Sequence, residues 1–237
     1  MRRRPPHYRG VVFDLDGTLL DSMPLVLEGM AMVVEPFRPR PDRTEVMGSL
    51  GGPSAACLLR LLGGRAHLAA ALVAYTRFFA EHDESTRLFR GARRLMRELH
   101  SAGIPLGIWT GRERSMTEVR LRSLALMDCF DVLICGDDLD SHKPDPEGLL
   151  RIVRRWGLPP AEVLFAGDSD QDLAGACAAG VPMVAIHHDR TIAPELLKHP
   201  IAVVATPPEA FAWIRTAVLG DKRRRVVSKR EYRATLG

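Results

Sequence analysis

Two aspartates follow the first apolar run of the chain and could together bind a metal ion. Asp14 and Asp16 come directly after residues 10–13, whose sequence Gly-Val-Val-Phe predicts a short buried strand. In a regular strand the two side chains would point the same way, and two ionised carboxylates that close repel each other. A hard cation relieves that repulsion, and Mg²⁺ prefers one or two carboxylates together with water and phosphate oxygens. An acidic loop without a metal is the alternative that this cluster alone leaves open.

A second acidic cluster follows another predicted strand. Residues 163–166 are apolar, and Asp168, Asp170 and Asp172 come next, where a helix is predicted to begin. Asp168 and Asp172 are four residues apart and could face one point on a helical turn. Acidic residues are also common at helix N-termini, where they cap the helix and meet its dipole, and we expect this role for Asp170. Taken with the first cluster, Asp168 and Asp172 favour a metal site.

Thr110, Gly111 and Lys143 supply groups that bind an anion. Thr110 ends a predicted strand and Gly111 follows it, so that they offer a hydroxyl group and unhindered backbone N–H groups. Lys143 lies in a loop whose backbone is restricted by Pro144 and Pro146, and its charge could neutralise a phosphate or a carboxylate there. Each signal is weak alone, since a single lysine is usually a solvated surface charge. Together with the acidic clusters, these residues put polar chemistry at four successive strand ends.

The elements that must position these residues alternate along the chain. Strands are predicted at residues 10–13, 104–109, 132–135, 163–166, 182–186 and 201–204, and helices at residues 92–102, 114–126, 146–156, 171–179 and 208–219. Alternating strands and helices indicate an α/β fold, a Rossmann-like parallel sheet sandwiched between helices. Ligands of such sheets bind outside the carboxyl ends of the strands, which is where the polar clusters fall.

One segment interrupts that alternation. Residues 22–90 show helical patterns without strands, and we interpret them as an all-helical cap domain inserted into an α/β core domain of residues 10–21 and 91–219. The helices of this insertion are predicted at residues 24–34, 55–62 and 66–81. Residues 51–53 (Gly-Gly-Pro) lie in a connection that could face a substrate or only join two helices. The terminal segments, residues 1–9 and 220–237, are basic and unpatterned, and we expect them to be flexible.

The net charge of +4 does not indicate a nucleic-acid-binding surface. The two ends, residues 1–9 and 221–237, hold 11 of the 33 basic residues and 2 of the 29 acidic ones, which leaves 22 basic and 27 acidic residues in the middle. A groove that binds nucleic acid concentrates positive charge on the folded body, so we expect no nucleic acid partner. The sequence contains neither an apolar stretch of bilayer length nor a recognisable signal peptide. We therefore expect a cytoplasmic protein with no membrane partner.

In these motifs the sequence resembles the haloacid dehalogenase-like hydrolases, specifically the branch with a helical cap that contains phosphoglycolate phosphatases and β-phosphoglucomutase-like enzymes. Residues 14–22 (Asp-Leu-Asp-Gly-Thr-Leu-Leu-Asp-Ser) are similar to the first family motif, Thr110 to the second, Lys143 with Pro144 to the third, and residues 167–172 to the fourth. The resemblance covers residues 10–219. It implies a Mg²⁺-dependent phosphatase that hydrolyses a small phosphoester, of the phosphoglycolate or sugar-phosphate type, through an aspartyl-phosphate intermediate.

The resemblance also implies a role for each residue. Asp14 would be the nucleophile that attacks phosphorus, and Asp16 would protonate the leaving alkoxide and then activate water. Mg²⁺ would bind Asp14, the main-chain carbonyl of Asp16 and Asp168, with Asp172 as a further ligand or a support. The transferring phosphoryl group would be held by Thr110, Gly111 and Lys143.

Two other functions share these features. Sugar phosphomutases use the same residues and would need cationic groups for a bisphosphate, for which Arg43, Arg60 and Arg65 are candidates. A catalytically silent phosphate-binding or scaffold protein is the alternative from another class. The second acid, Asp16, favours phosphoryl chemistry over dehalogenation because dehalogenases lack it.

The second motif departs from the common pattern of relatives with this cap. Those relatives commonly have Asn after the motif's Thr, whereas Gly111 and Arg112 follow Thr110 here. We interpret Arg112 as a surface charge at the start of a helix. Contact with a second anionic group of the substrate is the alternative.

Overall fold

The structure is a computed structural model that describes residues 8–188 and 192–220 of the chain. The strands of its large sheet are formed by short apolar runs of the sequence. The strands are β1 (Gly10–Phe13), β2 (Leu20–Asp21), β3 (Arg87–Leu88), β4 (Leu106–Trp109), β5 (Val132–Ile134), β6 (Val163–Gly167), β7 (Met183–Ile186) and β8 (Ala202–Val204). Six of them form one parallel sheet in the order β5-β4-β1-β6-β7-β8. The predicted α/β fold is confirmed, and each of the six predicted strands is present.

Nine helices connect these strands in the described part of the chain. They are α1 (Met23–Val34), α2 (Arg43–Ser49), α3 (Ser54–Leu62), α4 (Leu68–His82), α5 (Ala92–Ser101), α6 (Arg114–Ser123), α7 (Glu147–Trp156), α8 (Asp170–Ala179) and α9 (Pro207–Leu219). The short helix α2 and the two-residue strands β2 and β3 were not predicted from the sequence. None of the helices in residues 8–188 and 192–220 is long and apolar enough to cross a membrane.

Helices cover both faces of the large sheet. Successive side chains of a strand point to opposite faces, so Val11 and Phe13 of β1 pack into one apolar cluster and Val12 into another. The first cluster includes apolar residues of α5, α6 and α9, and the second includes those of α7 and α8. Burial on both faces explains why the central strands are continuous apolar runs. All residues of β1, β4 and β6 are buried.

The helical insertion (residues 22–90) carries α1–α4, which pack around an apolar cluster of their own. The chain enters this insertion through β2 and leaves it through β3, and these two strands pair antiparallel, Leu20 opposite Leu88 and Asp21 opposite Arg87. We propose that this pair links a cap domain of residues 22–90 to a core domain of residues 10–21 and 91–219. The separate apolar cluster supports that division, because a domain buries its own core.

We expected residues 1–9 to be flexible, and this prediction is wrong for residues 8 and 9. The side chain of Tyr8 is buried in the core cluster and lies next to Trp213, with ring centroids 6.4 Å apart. The backbone N–H of Arg9 donates to the carbonyl oxygen of Glu162 at 2.8 Å, and the side chains of these two residues form an ion pair. Gly220 is also described, and its backbone N–H donates to the carbonyl oxygen of Thr216 at the end of α9. The other residues of the predicted basic segments, 1–7 and 221–237, lie outside the described residues.

Candidate active site

The four polar motifs meet at the carboxyl edge of the sheet because the strands that carry them are neighbours. Strand β1 lies between β4 and β6, so the residues that follow these three strands emerge side by side. The backbone N–H of Asp14 donates to the carbonyl oxygen of Ala166 at 2.9 Å, and that of Thr110 donates to the carbonyl oxygen of Ile134 at 3.0 Å. These bonds extend the sheet by one residue and fix where the polar side chains begin.

Lys143 joins two of the predicted site aspartates. Its Nζ atom donates to Oδ1 of Asp14 at 2.7 Å and to Oδ1 of Asp172 at 2.6 Å. The Lys143 side chain is only 7% exposed and lies against the rings of Trp109 and Phe165, so it is not a solvated surface charge. A rigid, buried ammonium group therefore stands beside the predicted nucleophile.

The buried charges of this cluster shift each other's ionisation. Burial raises the pKa of Asp14 to about 7, and the nearby carboxylate of Asp172 adds to the rise, while Lys143 opposes it. Burial alone would lower the pKa of Lys143, but the carboxylates of Asp14 and Asp172 outweigh burial and the pKa of Lys143 is raised. Asp14 and Asp172 thus share the ammonium group of Lys143.

The arrangement of the carboxyl groups in this cluster fits a metal ion. Asp14, Asp168 and Asp172 each offer a carboxylate oxygen, and the three oxygens lie within 4.8 Å of one another. These three carboxyl groups supply hard oxygen donors in a largely buried site, and such donors suit Mg²⁺. Gly17, at φ +84°, brings the backbone so close to Asp168 that a Cβ atom there would overlap its carboxylate group.

Asp172 has a structural task in addition to its place in this cluster. Its Oδ2 atom accepts the backbone N–H and the hydroxyl group of Ser169, at 3.0 and 2.6 Å, while the Ser169 hydroxyl accepts the backbone N–H of Asp172. This reciprocal arrangement is a capping box at the start of α8. Ser169, rather than the expected Asp170, is therefore the capping residue. Because both carboxylate oxygens of Asp172 already accept hydrogen bonds, the geometry favours a supporting role for Asp172 over a ligand role.

Arg112 is buried, so the interpretation of this residue as a surface charge is wrong. Its side chain is 4% exposed, and its Nη2 and Nε atoms donate to the carboxylate of Asp16 at 2.5 and 3.1 Å. Its Nη1 atom donates to Asp83 at 2.9 Å. Asp83 lies in the short 3₁₀ turn between α4 and β3, where the chain leaves the helical insertion. Arg112 thus links the second aspartate of the first motif to the insertion.

The carboxylate of Asp16 is held in its ionised form. Burial would raise the pKa of Asp16, but the Arg112 guanidinium outweighs burial and the pKa of Asp16 lies below its ordinary value. The hydroxyl group of Ser22 also donates to Oδ1 of Asp16, at 2.5 Å. Asp16 therefore has a different environment from Asp14, whose pKa is raised.

Thr110 and Gly111 lie at the floor of the same site. Thr110 is buried, and its Oγ1 atom accepts the backbone N–H of Arg112 at 3.2 Å. A Cβ atom on Gly111 would lie 2.9 Å from the carbonyl oxygen of Gly52, so the loop of the helical insertion passes directly over this turn. A side chain at position 111 would separate the insertion from the core, which explains glycine there.

A cavity of about 320 Å³ lies between the core and the helical insertion. All predicted site residues line it, namely Asp14, Asp16, Thr110, Gly111, Lys143, Asp168 and Asp172. Gly51 and Gly52 line it as well, so two residues of the Gly-Gly-Pro connection face the cavity. Gln171 binds that loop to the core, because its Nε2 atom donates to the carbonyl oxygen of Leu50 at 2.8 Å.

Three residues of this site were missed in the sequence analysis. Ser22 and Asp83 hold Asp16 and Arg112, and Gln171 binds the loop of the insertion. Ser22 and Gln171 lie inside the quoted motifs, so their proximity was a usable signal. Asp83 lies in a segment that contains no motif, and its contact with Arg112 spans 29 residues of sequence.

Known proteins resemble this chain in sequence and in fold. The family model described as haloacid dehalogenase-like hydrolase matches residues 11–186. The chain is 33% identical over 208 residues to the phosphoglycolate phosphatase of Yersinia pseudotuberculosis, a match that covers 83% of this chain and 89% of that protein. It is 31% identical over 195 residues to the phosphoglycolate phosphatase of Thiobacillus denitrificans, covering 78% and 86%.

A solved structure shows the same architecture. The crystal structure described as a haloacid dehalogenase-like hydrolase from Bacteroides fragilis superposes with a TM-score of 0.76 at 29% sequence identity. The match covers 86% of this chain and 99% of that one. The similarity therefore includes the helical insertion as well as the sheet.

Proposed function

The chain belongs to the haloacid dehalogenase-like hydrolase family, and from that premise we propose that it is a Mg²⁺-dependent phosphatase acting on a small phosphomonoester. The observation that carries the proposal is the cluster of Asp14, Lys143, Asp168 and Asp172 at the floor of a cavity. Phosphoryl transfer requires a nucleophile, a group that moves protons and positive charge around the phosphate oxygens. Each requirement is met by a residue of this cavity.

Asp14 is the proposed nucleophile. Its carboxylate oxygen attacks phosphorus, the bond from phosphorus to the alcohol oxygen breaks, and an aspartyl-phosphate forms. The fixed contact of Lys143 with Asp14 supports this role, since a phosphate that approaches Asp14 must also approach the ammonium group. Thr110 and the backbone at Gly111 provide further hydrogen-bond donors to the phosphoryl oxygens on the same floor.

Asp16 is the proposed acid and base. It gives a proton to the departing alkoxide in the first step and accepts one from water in the second, when water attacks phosphorus and releases phosphate and Asp14. Arg112 keeps Asp16 ionised in this geometry, which is the state that the second step uses. The first step needs a protonated carboxyl group, so Arg112 must release Asp16 when the substrate is bound.

The position of Asp83 suggests how that release occurs. Arg112 contacts Asp83 at the exit of the helical insertion, so a movement of the insertion against the core changes the contacts of Arg112. Closure over a substrate would also exclude bulk water during the first step, and reopening would admit the water that the second step consumes. Arg112 is therefore a positioning residue in this proposal, and Asp16 is the residue that exchanges protons with the substrate.

The proposed metal site is formed by Asp14, Asp168 and the main-chain carbonyl of Asp16, with Asp172 as a support. Mg²⁺ held there would neutralise charge on the phosphate oxygens, so that the anionic substrate could approach Asp14. Asp172 orients Lys143 and the start of α8 through its two sets of hydrogen bonds. The cluster of three close carboxylate oxygens supports the choice of a hard divalent cation.

The alternative of a sugar phosphomutase receives no support from the described cavity lining. A bisphosphate intermediate needs cationic groups for its second phosphate. Arg43, Arg60 and Arg65, the three candidates, are exposed and do not line the cavity. The guanidinium group of Arg60 instead donates to the carbonyl oxygens of Ser49 and Gly51. Hydrolysis is therefore the reaction that we favour.

Phosphate release by the purified chain tests this proposal. The chain is assayed with Mg²⁺ against a panel of phosphomonoesters that includes p-nitrophenyl phosphate, and in parallel with EDTA. We expect Mg²⁺-dependent release that the Asp14→Asn variant loses by at least about 1,000-fold, since the nucleophile is removed. Asp128→Asn, the same change at an exposed aspartate outside the cavity, is the control and should keep full activity. Equal activity of wild-type protein and Asp14→Asn would refute the proposal.

A further inference from the structure

The cavity is acidic at its floor and apolar at its roof, and this division indicates what kind of alcohol the phosphate carries. We propose that the substrate is the phosphomonoester of an apolar alcohol, and not one whose alcohol bears a second anionic group such as a carboxylate or a phosphate. This inference rests on the proposed phosphatase function, and it concerns the leaving group of the substrate, which is the alcohol.

Methionine and aromatic side chains form the roof. Met23 and Met30 of α1 and Met47 of α2 line the cavity from the helical insertion, and Met116 of α6 lines it from the core. Unbranched thioether side chains adapt to an apolar ligand of irregular shape. The cavity volume of about 320 Å³ leaves room for more than a phosphate and a two-carbon acid.

The α4 helix adds two rings to this roof. Tyr75 and Phe79 line the cavity, and their ring centroids are 4.7 Å apart. Burial raises the pKa of Tyr75 well above its ordinary value, so the phenol group stays neutral. A neutral aromatic wall favours an apolar or aromatic group and gives no charge to balance an anion.

The cations of the described cavity lining are already paired. Lys143 bridges Asp14 and Asp172, and Arg112, whose guanidinium group lies 5.5 Å from the centre of the Phe79 ring, bridges Asp16 and Asp83. Each of these cations therefore faces two carboxylates. Arg112 keeps Asp83 as a partner when it releases Asp16, so a carboxylate on the alcohol would have to compete with Asp83 for the guanidinium group. Without that partner the carboxylate would lose its hydration uncompensated.

Additional acidic groups would repel such an anion. Glu113 lines the cavity, held by the backbone N–H and the hydroxyl group of Ser54 at 2.8 and 3.0 Å. Asp170 lines it as well, and its buried Oδ1 atom accepts no hydrogen bond from the described residues. The proposed Mg²⁺ site and Lys143 serve the phosphate at the floor, so the remainder of the cavity keeps a negative potential.

Two substrates that share a leaving-group type test the inference. Benzyl phosphate and 2-phosphoglycolate are both esters of primary alcohols, and they differ by a phenyl ring against a carboxylate on the same carbon. We expect kcat/KM to be at least about ten-fold higher for benzyl phosphate, and to rise from ethyl to butyl to hexyl phosphate by several-fold per step. The assay uses the full chain with Mg²⁺, and p-nitrophenyl phosphate reports whether it is active at all.

The outcomes separate the two claims. Preference for 2-phosphoglycolate over benzyl phosphate would overturn this inference and leave the proposed phosphatase intact. Failure to hydrolyse any of these esters, p-nitrophenyl phosphate included, would overturn the proposed function and the inference with it.

Charge placed in the roof should reverse the preference. Met47→Lys, and independently Met116→Lys, should lower kcat/KM for benzyl phosphate and raise it for 2-phosphoglycolate, each by about ten-fold. Met32→Lys is the matched control, because Met32 lies on α1 but is 38% exposed and does not line the cavity. It should change neither value by more than about two-fold. An unchanged preference in both roof variants, with folding retained, would overturn the inference.

Discussion

Replacing Arg112 by methionine tests the most unexpected contact of the site. Arg112→Met keeps the aliphatic part of the side chain but removes the guanidinium group that binds Asp16 and Asp83. In the structure the side chain of Arg112 is 4% exposed, and those of Asp16 and Asp83 are 19% and 17% exposed. The substitution therefore leaves two largely buried carboxylates without their main partner.

The size of the effect follows from what remains around each carboxylate. Removing one partner of a buried ion pair typically costs about 3–5 kcal/mol. Asp16 retains the hydroxyl group of Ser22 at 2.5 Å, and Asp83 retains Arg120 at 3.9 Å, so we expect the lower end of that range. The free energy of unfolding should fall by about 3 kcal/mol, which for a chain of this size lowers Tm by about 6–12 °C.

The loss should depend on pH in a defined direction. In the wild-type protein the pKa of Asp16 is lowered, so its stabilising contribution is present above its ordinary pKa of 3.8 and disappears as the pH falls below that value. Without Arg112, burial is opposed only by the Ser22 hydroxyl group and by Lys143, so the pKa of Asp16 in the folded state rises and the charged form becomes increasingly unfavourable as pH rises. The deficit of Arg112→Met should therefore be larger at pH 8 than at pH 5.

Urea unfolding at pH 5 and pH 8, followed by circular dichroism, measures this deficit. Arg77→Met removes an exposed pair with Glu81 and should leave the unfolding free energy unchanged within error. The pH profile of kcat/KM provides a second readout, in which the limb that reports protonated Asp16 moves to higher pH in Arg112→Met. A deficit below about 1 kcal/mol at both pH values, with an unmoved limb, would refute the assigned role of Arg112.

Three further predictions concern single side chains. Asp16→Asn should lower kcat/KM for an alkyl phosphate by about 100- to 10,000-fold. The loss should be far smaller for p-nitrophenyl phosphate, whose leaving group needs no proton. Equal losses for the two substrates in steady-state kinetics would exclude the acid role. Gly17→Ala should raise the Mg²⁺ concentration for half-maximal activity by about ten-fold or more, because the added Cβ atom displaces Asp168; an unchanged Mg²⁺ titration would argue against Asp168 as a ligand. Asp138→Asn should lower the unfolding free energy by about 1 kcal/mol at pH 7, because it removes a carboxylate that pairs with Arg114. Arg114 outweighs burial and lowers the pKa of Asp138, so the deficit measured by urea titration should shrink as pH falls below 3.8. A deficit that stays constant with pH would contradict the ion pair.

The large sheet could be predicted from the sequence because its strands are buried on both faces. Continuous apolar runs such as residues 10–13 and 163–167 end in polar residues or glycine, and these boundaries are visible without a structure. Strands β2 and β3 contain two residues each, and helix α2 contains seven. Elements this short lack a readable periodicity, and β2 and β3 form by pairing with each other where the chain enters and leaves the helical insertion.

The floor of the site could be predicted from the sequence, whereas its roof and the contacts of Arg112 could not. Asp14 and Asp168 follow β1 and β6 of one parallel sheet, and Lys143 lies in the connection after β5, so their convergence at one edge follows from the fold. The burial of Arg112 depends on Asp83, a residue of the insertion whose position no local pattern reveals. Apolar positions such as Met30 repeat along a helix in the same way whether they face a core or a cavity.

A rapid-quench experiment with ³²P-labelled substrate tests the central claim, that Asp14 is phosphorylated during turnover. The protein is mixed with substrate and Mg²⁺, quenched in acid within one turnover and treated with borohydride, which reduces an acyl phosphate to the alcohol. We predict that ³²P is attached to the quenched wild-type protein before reduction, that homoserine replaces Asp14 in its peptide after reduction, and that neither signal is found in Asp14→Asn. Label on another residue, or turnover that persists in Asp14→Asn without labelled protein, would contradict the account.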